Sequence, residues 1–288
     1  MTDPVVEAIF DAVAATAPAI RDALPGRRVE SGTENPSGET VLAGDVHADE
    51  LLAEALGEVD GVGSFVSEER PDAIDVGEGY AVAIDPLDGS SNLRSNNTMG
   101  TVVGVYDAAL PASGRDLVAA GYALYGPITT MVVADGGGVR EEVVERGDAD
   151  EVSRSVVVDD LTLPDEPTVY GFGGRVPDWP AAFREYAREV EDELKLRYGG
   201  SMVGDVNQVV TYGGVFAYPA LVDAPEGKLR LAFEANPIAY ILEAMGGASS
   251  DGSGSILGVE PEGLHDRVPL YVGTDRLIDR LEAALDNE

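Results

Sequence analysis

The sequence predicts a layered α/β protein in which mixed sheets are covered and separated by helices. Short apolar runs with strand character alternate with amphipathic helical stretches along the whole chain. Hairpin signals interrupt that alternation, which argues against a simple parallel doubly wound sheet. No repeat, low-complexity segment or long linker divides the 288 residues, so one large domain or two closely packed ones are expected.

Thr2 caps a first helix, with Pro4 in its first turn and Val5, Ile9 and Val13 on one face. Gly32, Gly38 and the acids between Ser31 and Thr40 read as a mobile loop able to serve as a lid. Leu51, Leu52, Ala55 and Leu56 mark a second helix. Residues 62–66 and 80–84 read as strands, each delivering carboxylates at its end. Strands follow over 101–106, 117–124 and 128–134, then a glycine-rich turn at 135–138 leads into 139–144, a hairpin. A second half begins near Ser155, dividing one compact unit into 1–154 and 155–288. It carries a strand at 168–172, helices over 178–194 and 201–212, and strands at 215–218 and 229–233. Pro237 and Gly246-Gly247 bracket a further helix, and Thr274 caps the last.

Hydrophobic residues make up 44% of the chain, enough for a sizeable core. Acids outnumber bases 53 to 19, a formal net charge of −34, and Lys195 and Lys228 are the only lysines. Such a surface repels polyanions, which disfavours nucleic acid and an anionic membrane as partners, and neither is expected. A solvated acidic coat suits a protein working in concentrated salt, and a halophilic source is expected. Cysteine is absent, which excludes disulfides, thiolate metal sites and thiol-based redox control. The N-terminus lacks the pattern of a secretory signal, and no apolar stretch approaches the ~18 residues of a spanning helix. A soluble, cytoplasmic protein is the expectation.

The strongest chemical signal is Asp85-Pro86-Leu87-Asp88-Gly89-Ser90-Ser91. An apolar strand ends at Asp85, and Pro86 prevents it from continuing in the ladder. The carboxylates of Asp85 and Asp88, with the Leu87 carbonyl, offer the oxygen set that a hard divalent ion takes. Gly89, Ser90 and Ser91 then offer backbone N–H groups and hydroxyls to a phosphate oxygen. Asp, Pro, Gly and Ser are also turn formers, so a plain β-turn is the competing reading. Ser67-Glu68-Glu69 sets adjacent carboxylates at a strand end, either exposed or neutralised by a cation. In 227–234, strand alternation places Lys228, Arg230 and Glu234 on one face, suited to holding phosphate beside a metal; a half-buried strand with a polar face competes. Asp45, Asp49 and Glu50 precede a helical stretch, where they either cap it or act as a general base on a metal-bound water. His47 and His265 read as incidental.

Taken together and in order, these segments resemble the class I fructose-1,6-bisphosphatase family. The matching runs are Gly38-Glu39 with Asp45, Ser67-Glu68-Glu69, Asp85 to Asn92, Gly100-Thr101 and 117–126. They continue with Arg197-Tyr198, Gly200 to Val203, Tyr212-Gly213-Gly214, Tyr218-Pro219-Ala220, 227–231, and Glu234 with Asn236-Pro237. The resemblance implies an α-β-α-β-α layered fold and hydrolysis of the 1-phosphate of fructose 1,6-bisphosphate, a step of gluconeogenesis. It implies two or three magnesium ions per subunit, with manganese as a substitute, held by Glu68, Glu69, Asp85, the Leu87 carbonyl, Asp88 and Glu234. Asp88, Gly89, Ser90 and Ser91 would meet the transferred phosphate; Tyr198, Tyr218 and Lys228 would bind the distal one. Arg197 would reach in from a neighbouring subunit of a homotetramer, and Arg230 would lie near the metal-side phosphate. Asp45, Glu50 and Glu69 are the candidates for activating water.

The sequence departs from the family pattern at three places. The family's loop ends in aspartate where Glu50 stands, or Asp49 in a register shifted by one. An asparagine that usually touches the distal phosphate is missing near Gly171–Arg175, where Arg175 is the expected substitute. Gly79 stands where regulated members carry a lysine for AMP, so AMP inhibition is not expected. Rival readings are a sedoheptulose-1,7-bisphosphatase, an inositol monophosphatase, and a non-catalytic phosphosugar sensor.

Overall fold

The computed structural model describes residues 3–147 and 151–286. Five layers stack in the order helix, sheet, helix, sheet, helix. The first holds α1 (Pro4–Ala23) and α2 (Ala43–Gly57). Thr2, the expected cap of α1, lies outside the described residues; the cap is Asp3, whose Oδ1 accepts the Val5 N–H at 2.8 Å. Ile9, Phe10 and Val13 of α1 and Leu52 and Leu56 of α2 are buried against the first sheet. Burial of each such side chain contributes about 1.5–3 kcal/mol.

The segment expected as a mobile loop ahead of α2 forms a hairpin, an exposed β1 (Glu30–Glu34) with a partly buried β2 (Thr40–Leu42). The first sheet has eight strands. They are β3 (Val62–Ser67), β4 (Ile74–Asp75), β5 (Tyr80–Asp88), β6 (Met99–Tyr106), β7 (Leu117–Tyr125), β8 (Thr129–Asp135), β9 (Gly138–Arg146) and β10 (Val152–Val158). Their spatial order is β10-β9-β8-β7-β6-β5-β3-β4, antiparallel except for the β3–β5 pair. The division expected at 154/155 falls inside β10, and the chain passes to the second sheet only after it.

That second sheet takes β11 (Val169–Phe172), β12 (Lys195–Leu196), β13 (Gly214–Tyr218), β15 (Ala248–Ser250) and β17 (Leu270–Gly273), in the order β12-β11-β13-β17-β15. Between the sheets lie α4 (Met202–Tyr212) and α5 (Asn236–Ala244). The run Pro237-Ile238-Ala239-Tyr240-Ile241-Leu242 is apolar almost all round, as a helix buried on every side must be. The outer layer is α3 (Ala181–Glu193) and α6 (Asp275–Leu285). On α3, Phe183, Tyr186, Ala187 and Val190 form a helical stripe against Phe172 and Trp179.

Two expected elements take other forms. The strand expected to stop at Asp85 runs on to Asp88, because a register shift between those residues absorbs Pro86 as one extra residue. The strand expected over 229–233 is a two-residue pair, β14 (Leu229–Arg230) with β16 (Arg267–Val268), followed by a π-helical turn over Leu231–Ala235. Leu231, Ala232, Phe233 and Glu234 are all buried, so no solvent-facing side existed to sustain a period of two.

Candidate active site

The centre of the first sheet builds the site. β3 and β5 are parallel neighbours with Ser67 opposite Ile84, and the Glu68 N–H donates to the Ile84 carbonyl at 3.0 Å. Glu68 therefore emerges beside Asp85. Residues three apart on a regular strand face opposite sides. The bulge at Pro86 supplies the extra residue that turns Asp85 and Asp88 to the same side. Glu234 arrives from the π-helical turn, its Oε2 accepting the Arg230 N–H at 2.7 Å. This wrapping, not the expected alternation, puts Glu234 beside Lys228 and Arg230. Ligand atoms of Glu68, Asp85 and Glu234 all lie within 4.8 Å of one another.

All three carboxylates, and Asp88, are buried. Burial first, then repulsion from Glu68 and Asp88, raises Asp85 and Glu234 well above the usual range. Burial lifts Glu69 to about 8, with Asp45 and Glu68 adding to the rise. Glu68 reaches about 7 although Arg230 partly offsets its burial. The Arg230 guanidinium is 2% exposed and pinned between Glu39 (2.9 Å) and Glu68 (3.3 Å). It therefore braces the carboxylates from behind. One arginine cannot balance this many acids, and Glu69 Oε2 is buried without a hydrogen-bond partner. An all-oxygen, mutually repelling set of this kind fits a hard divalent cation.

Next to the carboxylates, Gly89 adopts a left-handed φ of 73°, where a Cβ would collide with Ser201. It leads into a short 3-10 turn, Ser90–Leu93, whose first residues line the cleft. Asp45 occupies the third position of α2, where its Oδ2 accepts the Leu42 N–H at 2.7 Å. Burial pushes it up to about 6, against the bonds from Leu42 and Ser90. At the cleft rim, Lys228 Nζ sits 5.0 Å from the Tyr218 ring centroid, and the Tyr198 and Tyr218 hydroxyls are 3.2 Å apart.

Comparison with known proteins agrees with this geometry. Residues 5–148 match the family model "Fructose-1-6-bisphosphatase, N-terminal domain", and residues 163–286 match its C-terminal domain. The chain belongs to the fructose-1,6-bisphosphatase family. It is 62% identical over 282 residues to the class 1 fructose-1,6-bisphosphatase of Natronomonas pharaonis, covering 97% of this chain and 98% of that one. Identity to the class 1 enzyme of Halobacterium salinarum is 56% over 284 residues, 98% of this chain and 97% of the other. Both sources are haloarchaea, in keeping with the acidic composition. The holo crystal structure of Leishmania major fructose-1,6-bisphosphatase superposes with a TM-score of 0.91 at 28% identity, covering 100% of this chain and 96% of that one. The layered fold, the phosphatase class and dependence on metal are those of this family.

Within that family frame, several expected residues sit elsewhere. Glu50 is exposed and does not line the cleft. On a helix it points about 100° away from the inward Asp45–Asp49 face. Asp49 is instead bound to Arg70, Nη2 to Oδ2 at 2.6 Å. Arg175, the expected substitute for the missing asparagine, is 82% exposed, paired with Asp178 and not among the residues lining the cleft. Arg197 is exposed and lines a neighbouring pocket with Tyr198, outside the main cleft. Gly79 has φ of 136°, and any side chain there would strike the Gly61 carbonyl, so this backbone excludes a lysine.

Other contributors went unassigned in the sequence. Ser201 Oγ and the Val203 N–H both donate to Asp88 Oδ2 at 2.8 Å. Asp205 accepts the N–H groups of Gly199 and Gly200, holding the loop that carries Tyr198. Glu39 reaches from the β1–β2 hairpin to Arg230 and Arg267. The serine at a helix start was a readable capping signal. Glu39 entered only as part of the matching run Gly38-Glu39, without a role, and nothing local marked Asp205.

Proposed function

We infer that this chain removes the 1-phosphate of fructose 1,6-bisphosphate, giving fructose 6-phosphate and inorganic phosphate. One observation carries the reading: Glu68, Asp85 and Glu234 converge within 4.8 Å in the same cleft whose rim bears Lys228 and Tyr218. Carboxylates for metal at one end and a cation with hydroxyls at the other suit a sugar phosphorylated at both ends.

Glu68, Glu69, Asp85, the Leu87 carbonyl, Asp88 and Glu234 are the groups that would hold two or three magnesium ions, or manganese in their place. Such ions supply charge neutralisation for phosphate oxygens and lower the pKa of a coordinated water. The backbone from Asp88 through Ser91 orients the phosphate to be cleaved. Asp45 lies close enough to Glu69 to raise its pKa, and either carboxylate suits the task of accepting the water's proton. Lys228 with Tyr198 and Tyr218 holds the distal phosphate and so selects which end reacts. The outward position of Arg197 suits delivery into a neighbouring subunit's site in a homotetramer. Among the described residues no helix is long and apolar enough to cross a membrane. On this reading the enzyme acts in the cytoplasm on a dissolved sugar bisphosphate.

The test is phosphate release from fructose 1,6-bisphosphate in high salt, with and without magnesium. Magnesium should be required, and Asp88→Ala should abolish release while its melting curve persists. A wild-type protein that binds the sugar but frees no phosphate with magnesium would instead be a sensor.

A further inference from the structure

A large cavity lies outside the catalytic cleft. It encloses about 650 Å³ between the C-terminal end of α1, the segment after the 3-10 turn, and the end of β7. Its polar wall consists of Arg21, Arg28, Asn96, Asn97 and Thr98, over a floor that includes Leu24 and Met99. Among the described residues no aspartate or glutamate lines it. That composition is unexpected in a chain with 53 acids and 19 bases.

The two arginines differ from most others in the molecule. Arg70, Arg140, Arg154 and Arg280 each sit on a carboxylate. Arg21 instead donates to the Thr129 hydroxyl at 3.0 Å and the Pro127 carbonyl at 3.4 Å, while Arg28 donates to the Arg94 carbonyl. Neither has an acidic partner among the described residues, and most of the five donors on each guanidinium are left over. Asn96, at the rim, is the only non-glycine among the described residues with positive φ, at 55°. A positive hole in a negative surface focuses small anions, and forked guanidinium donors match phosphate oxygens even where salt removes long-range attraction.

We propose that this cavity is a binding site for a small phosphorylated anion, separate from the catalytic cleft. The site does not depend on the catalytic reading, because none of its residues belongs to the machinery described above.

Inorganic phosphate is the probe, titrated calorimetrically into the full-length protein stripped of metal, in high salt. Three proteins are compared: wild type, Arg21→Gln/Arg28→Gln, and Lys228→Gln as the control for the catalytic cleft. The expected result is a phosphate site that persists in Lys228→Gln and weakens at least ~10-fold in the double variant. The double variant should keep its magnesium-dependent turnover, which shows that it folds. Should it fail to fold, exposed Arg28→Gln alone is read the same way. Equal phosphate binding in wild type and double variant overturns the proposal. So does an absence of metal-independent binding in wild type, or a cavity that a second copy fills, seen as a change in sedimentation when the arginines are removed.

Discussion

Ser201 Oγ donates to Asp88 Oδ2 at 2.8 Å, so a carboxylate on the first sheet rests on the N-terminal end of a helix in the middle layer. The Val203 N–H adds a second bond of 2.8 Å to the same oxygen. Removing the hydroxyl takes away one of these two bonds and loosens the seat of Asp88. Ser201→Ala is expected to lower kcat/KM by ~10–100-fold and to raise the magnesium concentration needed for half activation. Steady-state rates over a magnesium series measure both. Unchanged values would mean that the seat of Asp88 is of no consequence.

Asp205 has no cationic partner among the described residues; its oxygens accept from Gly199 and Gly200. Asparagine keeps the shape but offers one acceptor where two are used. Asp205→Asn should raise KM for fructose 1,6-bisphosphate about 10-fold with kcat changed less than ~3-fold, since the loop it holds carries Tyr198. In a Tyr198→Phe background the same change should add little. A fall in kcat at constant KM would point to a purely structural role.

Asp45 and Glu50 share a helix but not an environment. Asp45 is buried at the cleft, whereas Glu50 is exposed. Asp45→Asn should cost at least ~100-fold in kcat, and Glu50→Gln less than ~2-fold. Parallel phosphate-release assays would show whether the ranking holds; its reversal would return the proton-accepting role to Glu50.

Burial, augmented by neighbouring acids, raises Glu69 to about 8, and Glu68 reaches about 7 despite relief from Arg230, both from an ordinary 4.5. Between those limits the metal-free folded protein keeps protons that the unfolded chain has released. Its stability contribution from these groups is therefore lost as pH climbs from about 4.5 to about 8, and stays level above. A cation takes the place of those protons. Differential scanning calorimetry of stripped protein should give a Tm that falls across this window, with magnesium raising Tm more at pH ~8.5 than at pH ~5.5. A larger magnesium effect at the acidic end would sink this account.

Much of the site was legible because strand ends announce themselves. Apolar runs stopping at Glu68-Glu69 and Asp85 put carboxylates at the edge of a sheet, whatever its topology. The two errors of register, at Pro86 and after Arg230, arose where the chain abandons a regular period: a bulge in one case, a π-helical turn in the other. Glu50 was grouped with Asp45 because adjacent acids look alike in a sequence and differ only once a helix sets their faces. The roles of Asp205 and Glu39 were unreadable for another reason. Their partners lie on backbone N–H groups and on an arginine 191 residues away.

The middle helices have a thermodynamic consequence. α4 and α5 bury side chains against both sheets, and one core runs from Val102 and Tyr122 through Ile238 to Phe216 and Leu270. The segments matched by separate family models therefore share their interior and should melt as a single cooperative unit. Neither segment carries a private reserve of stability. A cation gripped by the first sheet would protect the second to the same degree, and damage to either would be felt in full by the other.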